Sequence, residues 1–324
     1  MGQAPRADGP PVRESSVGEA TRERHDGGPV VGGAADGRPV PFLVPERLQV
    51  VDSTNRYLVD LARAGLSDGS QVPEGYGVVA DHQTAGRGRL SRTWEAPPGT
   101  AVLCSVLLKP DLGIELLHLA ASAVALAAIQ ACRATAGVEL SLKWPNDLVA
   151  GGASSGGPGT RGAEAERKVA GILSEIVPPH ETGDDRQRDR LETGGIVVGI
   201  GINVNWPVNW PPPDCVDAET VSIARSATSL NRIAGRDINR SELVAELLRS
   251  TGAHNAMLAS PKDRHALASK YRRACATIGR EVRVELLDET VTGRALDLDD
   301  AGCLLVSSGA SIRTISAGDV VHLR

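Results

Sequence analysis

Between Gln83 and Trp94 the chain reads Gln-Thr-Ala-Gly-Arg-Gly-Arg-Leu-Ser-Arg-Thr-Trp, alternating glycine with arginine ahead of an aromatic residue. Glycine lets backbone approach a ligand closely, and arginine forks match phosphate or carboxylate, so the stretch suits an anion-binding loop. Trp94 offers a flat face for a purine or for the packing of a lid. A solvated basic turn has the same composition. Lys143-Trp144-Pro145-Asn146-Asp147 presents two polar side chains beside a proline-fixed turn, which also suits a structural corner. Lys168-Val169-Ala170-Gly171-Ile172-Leu173 sets a lysine at the mouth of an apolar strand, followed by a glycine that leaves room for a ligand. Gly199-Ile200-Gly201-Ile202-Asn203-Val204 is an apolar strand whose two glycines forgo packing and whose Asn203 offers an amide to a base edge. Only five of the 35 basic residues are lysine. A lysine kept inside a motif therefore points to a need for a compact ammonium on a flexible stem. The glycine–arginine loop is not GxxxxGK[ST], and neither it nor Gly199-Ile200-Gly201 completes GxGxxG, so the P-loop and dinucleotide-fingerprint readings fail there on spacing.

These residues need elements to hold them. Asp52-Ser53-Thr54-Asn55 supplies cap-type residues ahead of a helix through Tyr57, Leu58 and Leu61. A strand is predicted at 77–80, then the polar loop from His82 to Gly99, then a strand at 100–108. An alanine-rich helix over 115–136 packs on the sheet. Strands follow at 140–143 running into 147–150, at 169–177 and at 196–204. The Gly/Ser-rich stretch 151–166 and the charged stretch 178–194 read as flexible surface insertions between them. Helical segments fall at 242–257 and 263–274. From Ile278 short alternating strands at turn spacing predict a small β-barrel.

Composition narrows the class. The chain has 324 residues, 41% hydrophobic and 23% charged, with a net charge of -5. That balance argues against a surface built for nucleic acid or anionic membrane. The five cysteines are scattered without a CxxC pair and the seven histidines without a ligand spacing, so neither a disulfide framework nor a protein-held metal is expected. The cytoplasm fits best. No secretory leader or membrane span is expected, and the most apolar stretch, 116–131, suits a buried core helix. Residues 1–41 carry almost no large apolar side chain and are read as a disordered tail, followed by a catalytic domain over 42–276 and a barrel over 277–324.

Taken in order, DSTN, QTAGRGRxxRxW, KWPND, KVAGIL, GIGINV and a small terminal barrel resemble the biotin protein ligase family, over roughly residues 44–324. The resemblance implies an α+β fold, a mixed sheet with packed helices like that of class II synthetases and biotin-lipoyl ligases, plus an SH3-like β-barrel. It implies that biotin and ATP, with Mg²⁺ carried on the nucleotide, form biotinyl-5′-AMP. The biotinyl group then passes to a lysine of a biotin carboxyl carrier protein of a biotin-dependent carboxylase. Residue by residue, Ser53, Thr54, Asn55 and Gln83 would line the biotin pocket, and Arg87, Gly88 and Arg89 would close over the carboxylate and the phosphate. Trp94 and Asn203 would sit at the adenine end, Lys168 between carboxylate and α-phosphate, and Arg92 near the triphosphate. Asn146, Gly171 and Gly201 complete the expected binding set, and Asp147 would orient or deprotonate the acceptor lysine. Some relatives carry an N-terminal helix-turn-helix; the sequence offers no amphipathic helix pair for one, so no specific DNA binding is expected. No membrane partner is expected, and the chain is read as a monomer or weak homodimer. The alternative within the superfamily is a lipoate or octanoate protein ligase, which GRGRxxRxW together with KWPND disfavours.

Overall fold

The computed structural model describes residues 22–23, 30–33, 39–42, 45–66, 69–151, 166–178, 194–212, 214–286, 288–309, 311–316 and 318–323. In chain order the first elements are β1 Arg22–Glu23, β2 Val30–Gly33, β3 Pro39–Phe42, β4 Glu46–Val51, α1 Thr54–Ala64, β5 Gly77–Gln83, β6 Ala101–Leu108, α2 Leu119–Ala136, β7 Ser141–Lys143 and β8 Asp147–Ala150. There follow β9 Arg167–Val177, β10 Gly195–Asn203, α3 Ala218–Ser226, α4 Leu230–Ala234, α5 Arg240–Ala256 and α6 Pro261–Ala274. The C-terminal strands are β11 Glu281–Glu285, β12 Thr290–Leu298, β13 Leu304–Ser308, β14 Ser311–Ile315 and β15 Asp319–His322.

Eight strands form one sheet in the order β1-β4-β5-β6-β10-β9-β8-β7, with only β4 and β5 parallel. Successive strand residues face opposite sides, so each central strand has two different readings. On β6 and β10, Val102, Cys104, Val106, Ile196, Val198, Ile200 and Ile202 belong to the larger apolar core, which α2 and α5 cover. The opposite face of the same strands carries Leu107 and Val197 under α1, and beyond them Leu103, Ser105, Gly199, Gly201 and Asn203. Small and polar residues thus replace bulk on one end of one face, and the site lies there.

The α1 helix starts where that bare face begins. Ser53 holds the N-cap position but makes no capping bond with its side chain. The Thr54 amide instead donates to Gln83 Oε1 at 2.7 Å, so β5 caps the helix and leaves the Ser53 hydroxyl unspent. Helix α2 is long and apolar enough to cross a membrane by length and composition, yet most of it is buried against the sheet and α5. The five C-terminal strands form a separate antiparallel sheet, order β14-β13-β12-β11-β15, around Val282, Val284, Val291, Ala295, Leu304 and Val306. This is the α+β class expected, with the small terminal β-unit. It is joined to the main sheet at Leu142, whose carbonyl accepts the Ala276 amide at 2.7 Å.

Several elements differ from expectation. The stretch read as a disordered tail contains β1, paired with β4, and the β2–β3 ribbon, which lies beside α5. Val30, Val31, Val40 and Phe42 are the β-prone residues in the sequence of this ribbon. The helix expected from 115 starts at Leu119, after a 3₁₀ turn at Ile114–Leu116. Strand β4 and helices α3 and α4 were not expected. Helix α4 has five residues, too few for a periodic signal, and α3 follows a proline-rich stretch and is marked chiefly by its Asp217 cap. Most of both expected insertions, 152–165 and 179–193, lies outside the described residues.

Candidate functional site

The floor of the site is backbone. Gly171 on β9 pairs with Gly201 on β10, and a Cβ built on Gly201 would lie 2.4 Å from the Trp94 ring. A Cβ on Gly171 would lie 3.0 Å from the same ring, and one on Gly199 would lie 1.9 Å from Asn55 Oδ1. Three positions without side chains therefore make room for an indole and an amide. The Trp94 Nε1 is buried and has no hydrogen-bond partner among the described residues. Lys168 Nζ stands 5.5 Å from the ring centroid, in cation–π range.

One end of the cleft is a network of short polar groups. Gln83 Oε1 accepts from the Thr54 amide and from the Thr54 hydroxyl, at 2.7 and 2.9 Å. Ser105 Oγ lies 2.8 Å from Thr54 Oγ1 and 2.7 Å from Asn55 Oδ1. Asn55 Nδ2 donates to Leu173 O and to Glu175 Oε2, each at 3.0 Å. With its oxygen committed to Thr54, Gln83 presents its NH₂ as a donor, and Ser53 adds a buried hydroxyl.

The other end is cationic. The loop from Gly86 to Trp94 folds back on itself: Trp94 N donates to Gly86 O at 3.0 Å and Gly88 N to Arg92 O at 2.6 Å. Its tip places Leu90 and Ser91 at positive φ, 54° and 59°. Left-handed backbone at non-glycine residues is uncommon and concentrates at ligand clamps. Arg87 pairs with Glu175 at 2.7 Å and Arg92 with Asp319 at 2.5 Å. Arg89 Nη1 donates to Gly318 O at 3.2 Å. Burial lowers the Arg89 pKa below the ordinary arginine value, against the pull of Asp319 and Asp147. The hydrogen bond to Asp319 raises that of Arg92.

Lys168 Nζ lies 2.7 Å from Asp147 Oδ1. The two stand where the first cleft, about 830 Å³ with its open mouth included, meets a second of about 1530 Å³. Both clefts share Arg92, Trp94, Asn146, Asp147 and Lys168. The structure thus brings together every expected site residue except Asn203, which reaches only the second cleft and donates to Thr228 O at 3.1 Å. Asn146 lines both but spends its Nδ2 on Ile172 O at 2.8 Å, bracing the corner against β9. Ser105, Glu175, Gly318 and Asp319 were missed. Ser105 left a signal, a lone hydroxyl on the site face of a buried strand; Gly318 and Asp319 come from the C-terminal sheet and left none. Among the described residues no group of three or more His, Cys, Asp or Glu side chains could hold a metal ion.

Residues 48–184 match the model of the biotin/lipoate A/B protein ligase family, and 277–323 that of the biotin protein ligase C-terminal domain. The biotin–[acetyl-CoA-carboxylase] ligase of Mycobacterium tuberculosis is 34% identical over 283 residues, 86% of this chain and 90% of that one. The bifunctional ligase/repressor BirA of Bacillus subtilis is 31% identical over 278 residues, 84% of this chain and 71% of that one. Among solved structures, the biotin protein ligase from Aquifex aeolicus in complex with biotin and ATP superposes with a TM-score of 0.63 at 27% identity, covering 86% of this chain and 98% of that one.

Proposed function

The chain belongs to the biotin protein ligase family, and from that premise we propose that it activates biotin with ATP as biotinyl-5′-AMP and transfers the biotinyl group to a lysine of a carrier protein. The observation that carries the reading is the position of Lys168, between a polar cleft and a second cleft that share one wall. Joining two anions requires a cation at their meeting point.

In the first half-reaction a biotin carboxylate oxygen attacks the α-phosphorus of ATP. A P–O bond forms, the bond to the β-phosphate oxygen breaks, and pyrophosphate leaves with the electron pair. Ser53, Thr54, Asn55 and Gln83 hold the ureido ring, with donors and acceptors that Ser105 and Glu175 orient. Arg87, Gly88 and Arg89 close over the carboxylate and phosphate, Lys168 bridges them, and Arg92 faces the departing phosphates. The nucleoside occupies the second cleft, between Trp94 and Asn203. Mg²⁺ arrives on the nucleotide and offsets phosphate charge there. Closure over the mixed anhydride keeps water from it.

In the second half-reaction the acceptor amine attacks the biotinyl carbonyl, the C–O bond to AMP breaks, and an amide forms with loss of a proton. A free lysine has a pKa near ~10.4, so the amine must be deprotonated or oriented first, and Asp147 is the carboxylate at hand. The carrier is a biotin carboxyl carrier domain of a biotin-dependent carboxylase. We place the domain boundary at 276/277, between α6 and β11.

A lipoyl or octanoyl substrate would leave the Gln83 NH₂ and the buried Ser53 hydroxyl without the polar partners that a ureido ring offers, a cost that discriminates strongly. The test is ATP–pyrophosphate exchange on the purified chain. Biotin should support it and lipoate should not; equal or faster exchange with lipoate would refute the choice of substrate.

A further inference from the structure

One buried polar cluster has been given no role in the chemistry proposed above, although its Glu166 borders the second cleft. His322, on β15, has its side chain 7% exposed, and Glu166, just before β9, 14%. His322 Nδ1 lies 2.7 Å from Glu166 Oε2, and its Nε2 lies 3.0 Å from Thr277 Oγ1. The same Thr277 oxygen accepts the Trp144 amide at 3.0 Å. Burial pushes the Glu166 pKa up, but the His322 hydrogen bond and charge, with Arg280 and Lys143, leave it below its ordinary value. The carboxylate is therefore an acceptor at neutral pH. The partners are shared out so that Nδ1–H donates to Glu166, Nε2 meets the Thr277 hydroxyl, and the Thr277 oxygen accepts from the Trp144 amide.

One end of this chain of bonds lies in the corner motif and the other just ahead of the Lys168 motif, the two that meet at the site. Trp144 belongs to the corner that ends in Asp147, and Glu166 stands two residues before Lys168. The ladder between β8 and β9 does not by itself set these two in register. It shifts between Leu148 and Val149, so that Leu148 pairs with Ala170 and Val149 with Lys168. The irregularity falls on the rung that carries Lys168, and a bulged rung is free to re-aim its side chain.

The geometry points to His322 as a positioning residue of the C-terminal sheet, one that ties Trp144 and Glu166 to a single ring and so fixes Lys168 against Asp147. The inference rests on the adenylation reading above. Its energetic logic is that of any support to a reacting group: a small misplacement of Lys168 costs rate, while the distant polar end of the cleft still binds biotin as before.

The test uses the full chain and three variants, His322→Ala, Glu166→Ala and Glu166→Gln, with single-turnover adenylate formation and hydrogen–deuterium exchange as readouts. His322→Ala and Glu166→Ala should slow adenylate formation by about tenfold or more while the KM for biotin stays within about twofold. Glu166→Gln, whose amide oxygen still accepts from Nδ1–H, should recover most of the rate. Exchange at the Trp144 amide and at the start of β9 should rise in His322→Ala. A parental rate in His322→Ala, or a raised KM with the rate untouched, would overturn the proposal. Should that variant fail to fold, Thr277→Val breaks the link to Trp144 alone, and parental exchange there together with a parental rate would overturn it equally. A parental chain that forms no adenylate from biotin would refute the functional reading instead, and exchange at Trp144 would still judge the tie.

Discussion

At the scale of single residues, the site is defined as much by what is missing as by what is present. Gly201 and Gly171 leave the floor on which the Trp94 ring lies, and Gly199 leaves the space that Asn55 fills. Gly201→Ala would force a methyl group to 2.4 Å from that ring. The indole must then shift together with the loop behind it, an overpacking that costs roughly 1–3 kcal/mol. The expected result is a rise in the Kd for ATP of roughly tenfold, on the scale of that energy, without loss of the folded state. Titration calorimetry with a non-hydrolysable ATP analogue checks it, and unchanged affinity would mean that the ring is not part of the nucleotide's wall. The arginines and lysines of the motifs were legible because charge beside glycine is a chemical signature. Glu175 was not, because a carboxylate in an apolar strand reads as a solvent-facing residue until the register places it opposite Val197 and within reach of Asn55 and Arg87.

At the scale of elements, the loop from Gly86 to Trp94 is held by pairs that are easily exchanged. The Arg87 side chain is 42% exposed and that of Arg92 64%, so their ion pairs with Glu175 and Asp319 are weak and screened by salt. The carboxylate and phosphates of the ligands would offer stronger, buried partners. Trypsin should therefore cut after Arg87 and Arg89 in the free protein, faster at high salt, and biotin with ATP should suppress the cutting; indifference to the ligands would contradict a closing loop. Strands β6, β9 and β10 and helices α2, α5 and α6 were legible, since each carries a sustained apolar period. Helices α3 and α4 were not, being short and dependent on a cap and a packed neighbour rather than on periodicity.

At the scale of the whole molecule, the site gathers residues from Ser53 to Asp319. Sequence order displays the motifs but not their meeting, because the pairing of β9 with β10 and the approach of the C-terminal sheet are long-range contacts with no local signal. Arg89 reaching Gly318 and Arg92 reaching Asp319 are visible only once both sheets are folded. The chemistry proposed for the folded molecule depends on one cation standing where the two substrates join. Lys168 is half-buried at a strand end and adds little to the core. The most direct measurement is single-turnover formation of biotinyl-5′-AMP by Lys168→Ala, alongside Lys168→Arg. The expected result is a loss of about 10²- to 10³-fold for the alanine variant, poor rescue by the planar guanidinium, and an unchanged unfolding profile. Adenylate formation at the parental rate in Lys168→Ala would contradict the role given to this lysine.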